Sequence, residues 1–96
     1  MPGAEELRII YVTLVREEKL IFLDGLVEIL QQHEDSKASE YDSAKSPEQR
    51  IALLTDSVEL RQLINSVKNQ KKATRKNPGN EAQELWQSIE EFFEGV

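Results

Sequence analysis

Residues 5–32, EELRIIYVTLVREEKLIFLDGLVEILQQ, decide the fold class. On a helical wheel, Glu6, Thr13, Glu17, Asp24, Glu28 and Gln31 fall together in one narrow polar stripe. Leu7, Ile10, Tyr11, Leu14, Phe22, Leu26 and Ile29 lie to one side of it. Ile9, Val12, Leu20, Leu23, Val27 and Leu30 lie to the other. A helix that is apolar around most of its girth is buried from several sides. Arg8, Arg16, Glu18 and Lys19 interrupt that surface, and their long stems can carry charge out to water. Residues 8–15 are rich in β-branched side chains and have strand propensity. No other stretch offers them a partner strand, so the helical reading is preferred and the fold class is all-α.

Length adds a constraint. A helix over residues 5–32 would span about 42 Å. A compact chain of 96 residues has a radius of gyration of only about 12–13 Å. The expected outcome is a break between residues 16 and 19 or at Gly25. The alternative is an elongated molecule whose overhang a second chain covers.

Residues 33–46 hold four serines and little apolar content, and read as a mobile loop. Ser46-Pro47-Glu48-Gln49 is a capping box with proline at the first helical position. Ile51, Leu54 and Val58 share one face, whereas Leu60, Leu63, Ile64 and Val67 lie on the opposite one. That change of phase, beside a second cap signal at Asp56-Ser57-Val58-Glu59, predicts two helices, about 47–55 and 57–71, or one kinked there. A continuous helix sandwiched between two neighbours is the remaining possibility. The chain between about 72 and 80 reads as a turn centred on Asn77-Pro78-Gly79, whose order suits type II. Asn80 is placed to cap a last helix over 81–94, with Gly95 as its stop. In that helix Ala82, Leu85, Trp86, Ile89, Phe92 and Phe93 form one apolar arc. The architecture expected is one domain, residues 1–96: a small helical bundle of a long N-terminal helix and two or three shorter ones.

Composition narrows the function classes. The chain has no cysteine, so disulfide, thiolate and cysteine–zinc chemistry are excluded. No apolar run approaches membrane-spanning length, and the first residues lack a signal-peptide pattern. A cytoplasmic location is expected. The lone histidine, in His33-Glu34-Asp35, has no second histidine at ligand spacing. Neighbouring carboxylates such as Glu17-Glu18 and Glu90-Glu91 diverge on a helix and form no acid–base pair. Neither a Gly-rich phosphate loop nor a triad is present. No enzyme, metal or cofactor is expected.

The charge is unevenly laid out. Residues 1–46 carry a net charge of −5, residues 47–79 of +4 and residues 80–96 of −5. Lys68, Lys71, Lys72, Arg75 and Lys76 crowd into nine residues without an acid. Bases there complement the negative end of a helix dipole. They also suit an acidic protein surface, such as the last helix of a second copy. Nucleic acid is the weaker reading, because the stretch has no stacking aromatic and the chain carries −6 overall. An acidic mimic that blocks a nucleic-acid-binding partner is a third reading. The expected function is non-enzymatic protein–protein interaction, by self-association as a homodimer or by regulatory binding. The candidate contact residues are Lys68, Lys71, Lys72, Arg75 and Lys76, with Tyr11, Leu14 and Phe22 from the apolar girth of the first helix.

Overall fold

The computed structural model describes residues 3–94, and side chains as far as Phe92. Four helices follow in order: α1 (Ala4–Thr13), α2 (Arg16–Ser43), α3 (Pro47–Lys76) and α4 (Gln83–Glu94). There is no strand among the described residues, so the β-branched run lies in a helix.

That run nevertheless leaves its mark. Thr13 and Val15 are poor helix formers, and Leu14 and Val15 are both extended at the junction. The Leu14 amide closes a tight turn onto the Tyr11 carbonyl at 3.1 Å. The Glu18 carboxylate then accepts from the Val15 N–H at 3.0 Å and starts α2. The first helix is therefore short, and Gly25 continues α2 instead of breaking it.

The expected loop over 33–46 is a correction. Helix α2 runs through it to Ser43, and only Ala44–Ser46 connects to α3. No glycine or proline interrupts residues 26–43. Pairs across the hairpin support the extension: Arg61 to Glu34 at 2.7 Å and Lys37 to Asp56 at 3.6 Å. Ser46 caps α3 as its box predicts, its hydroxyl accepting from the Gln49 amide at 3.1 Å, with Pro47 at the first helical position.

The break expected near Asp56–Glu59 is also absent, because α3 is continuous over 30 residues. Its buried positions Leu53, Ser57, Leu60, Ile64 and Val67 recur at alternating spacings of four and three. They keep one seam against α2, and Leu63 turns toward α4. The change of phase in the sequence separates an exposed stripe, Ile51, Leu54 and Val58, from the residues that continue the seam against α2.

α2 and α3 are antiparallel: Asp24 pairs with Lys71, Glu34 with Arg61 and Lys37 with Asp56. The molecule measures 47 × 21 × 18 Å, longer than a sphere of its size. α1 and α4 pack on one side of the hairpin at its open end. Tyr11, Phe22 and Trp86 meet there with centroids 5.3–6.1 Å apart. The Tyr11 and Thr74 hydroxyls share a 2.6 Å hydrogen bond between wholly buried groups. Leu85, Trp86 and Ile89 are buried, and Phe92 packs on the same core. The Phe93 side chain and Gly95 lie outside the described residues.

The turn before α4 forms, with the Asn80 amide donating to the Asn77 carbonyl at 3.1 Å. Gly79 does not have positive φ, so the turn is not type II. The Asn77 side chain accepts from the Gly79 amide instead. Asn80 accepts from the Ala82 amide at 2.8 Å. Ala82 then takes φ 57°, which delays the start of α4 to Gln83.

Candidate functional site

The placement of α4 divides the surface of α3 into two sides. α4 borders Leu63, Ser66, Gln70 and Ala73. Rotating by helical steps from that side, Arg61, Lys68, Lys72 and Arg75 fall on roughly the opposite one. All four side chains are exposed. Lys71 sits nearer the seam, half-buried, with its ammonium 2.6 Å from Asp24. Lys76 is exposed at the helix end. The five clustered bases thus split into one paired group and four that face solvent.

Lys68, Lys71, Lys72 and Arg75 border a shallow groove of about 310 Å³ between α2 and α3, floored by Leu23, Val27 and Val67. Its far edge belongs to α2. There the polar stripe of the sequence reappears as an exposed row of Glu17, Asp24, Glu28, Asp35 and Asp42. The Glu17 carboxyl is held below its usual range by its own backbone N–H and by Arg16. The hairpin face turned away from α1 and α4 therefore carries an acidic ridge on one helix and a basic ridge on the other.

Toward its N-terminus the ridge on α3 changes character. Ile51, Leu54 and Val58, three and four residues apart, are 65%, 49% and 47% exposed. A smaller apolar set, Ile9, Ile10 and Val12, is exposed on α1.

The apolar residues proposed for partner contact are only partly available. Tyr11 is wholly buried and belongs to the core. Phe22 is half-buried against Tyr11 and Trp86. Leu14 is half-exposed at the junction of α1 and α2. The structure also buries Lys19, which donates to the Pro78 carbonyl and lies 5.2 Å from the Tyr11 ring centroid. The sequence alone reads it as a side chain that reaches out to water. Its partners lie 59 residues away in one case, beyond the reach of a pattern.

His33 is exposed, while Glu34 is engaged by Arg61. Among the described residues no group of three or more His, Cys, Asp or Glu is placed to hold a metal ion, and no helix is long and apolar enough to cross a membrane. Protein-family models, curated proteins and solved structures give no match to this chain.

Proposed function

We propose that this chain is a non-enzymatic helical protein that acts by binding another protein chain, which completes its bare hairpin into a bundle. The observation that carries this is the stripe Ile51, Leu54 and Val58, exposed in a row on α3. Single exposed apolar residues are ordinary, but a contiguous set marks a surface that gains from being covered. The bare end of the hairpin has too little apolar contact of its own to need such residues there. A cytoplasmic setting fits the absence of cysteine.

The basic ridge gives nucleic acid a foothold, yet the parallel acidic ridge on α2 would repel phosphates brought to the same face. An acidic mimic is disfavoured for another reason. α4, with Glu84, Glu90 and Glu91, lies on the opposite side of the hairpin, so its carboxylates do not extend the ridge of α2.

The test compares affinity capture by the wild-type chain with capture by Ile51→Gln/Leu54→Gln/Val58→Gln, whose fold is checked by circular dichroism. A protein retained by the wild type and lost from the variant is expected. Capture of nothing by either, from a chain that is also monomeric, overturns the reading.

A further inference from the structure

The two ridges of the open face are matched in position as well as in sign. The observed pairs fix the register, with Asp24 level with Lys71 and Glu34 level with Arg61. On that scale Asp24 is also level with Lys72, Glu28 with Lys68, and Asp35 with Arg61. Asp42 is level with the turn that holds Arg50 and Leu54. A rotation by half a turn about an axis parallel to the hairpin preserves these levels and brings α2 over α3.

We propose that the partner is a second copy of this chain, packed open face to open face about such an axis. The acidic ridge of α2 in each copy then lies against the basic ridge of α3 in the other. This rests on the protein-binding reading above and names the partner. The interface is isologous, as a twofold dimer requires.

Charge complementarity selects this occupant over others. A wholly acidic partner would suit Lys68, Lys72 and Arg75 but meet Glu28 and Asp35. A basic partner would meet the opposite conflict. A surface with both ridges at the same spacing satisfies both, and this chain carries one. Like charges placed opposite one another cost several kcal/mol, whereas complementary ones fix register. The same rotation sets Leu54 and Val58 near Ala38 of the second copy and covers the groove floor at Val27.

The test uses charge reversal. Glu28→Lys/Asp35→Lys reverses the acidic ridge, and Lys68→Glu/Lys72→Glu reverses the basic one. All four side chains are exposed, and none forms an ion pair among the described residues. Sedimentation equilibrium at low ionic strength should give the wild type twice the chain mass, with association weakening as salt is added. Each variant alone should associate at least about tenfold more weakly. An equimolar mixture of the two should recover the dimer, because each reversed ridge then meets its reversed complement. A monomeric wild type overturns the proposal. So does a dimer that both variants leave unchanged, or a mixture that fails to associate. The capture experiment above reads Ile51, Leu54 and Val58, so a monomer that still retains a partner through them overturns only the self-association.

Discussion

Near residues 16–30 and 60–76 the hairpin is flanked by α1 and α4, while around residues 31–43 and 47–58 its two helices have only each other. In the flanked half, Leu23, Leu60 and Val67 are wholly buried. In the bare half, Leu53 is buried in the seam, but Ile51, Leu54 and Val58 are left in solvent. The bare half is poorer in apolar residues, with only Ala38 and Tyr41 over 31–43, and even the flanked half leaves Ile21 exposed. The bare half also has fewer neighbours, because a helix pair buries one stripe and a third helix is needed to bury a second. The flanked half holds itself together by packing. The bare half depends on the seam, on ion pairs across it and on the Ser46 cap.

The sharpest way to break this contrast is Trp86→Ala. It removes the ring that joins α4 to Tyr11 and Phe22, and should cost about 3–5 kcal/mol in denaturant unfolding. A cost near that of an exposed site would show that the flanked half is not where stability lies. Tyr11→Phe keeps the ring and deletes the buried hydroxyl opposite Thr74, for about 1–2 kcal/mol by the same measurement.

Two predictions probe α2 and α3 themselves. Ser46→Ala removes the cap of α3 and should cost about 1 kcal/mol. In hydrogen exchange the faster amides should be confined to residues near the connection between α2 and α3, leaving those beside Trp86 protected. Gly25→Ala should stabilise α2 by about 0.5–1 kcal/mol, read as a raised Tm. It is a helix-interior glycine, and an added Cβ meets nothing within 4 Å. The smallest effect is expected at Leu54→Gln, within about 0.5 kcal/mol for the isolated chain. A larger loss under conditions where the chain associates would show that this face is covered by another chain.

Much of the fold was legible in residues whose signals are local. The Ser46-Pro47 cap, the turn at Asn77 and the apolar arc of α4 depend on neighbours within a few positions. The candidate surface was half legible. The polar stripe of α2 and the crowding of bases at the end of α3 were both plain in the sequence. Their meeting on one face required the antiparallel register, set by contacts between residues 27 to 47 positions apart. Residues 33–46 misled because serine-rich composition resembles a loop, while the ion pairs of Glu34 and Lys37 reach across to α3. The phase change after Val58 misled in the opposite way, because an exposed apolar stripe on a continuous helix and a kink leave the same mark on a wheel.

The sequence by itself determined an all-α chain, because helical periodicity, caps and turn residues act over short distances. Tertiary structure decided which apolar residues became core, placing Tyr11 inside and Ile51 outside. It also decided that the acids of α2 and the bases of α3 share a face. Burial and electrostatic proximity depend on which helices stand side by side, and in this chain those neighbours come from distant parts of the sequence.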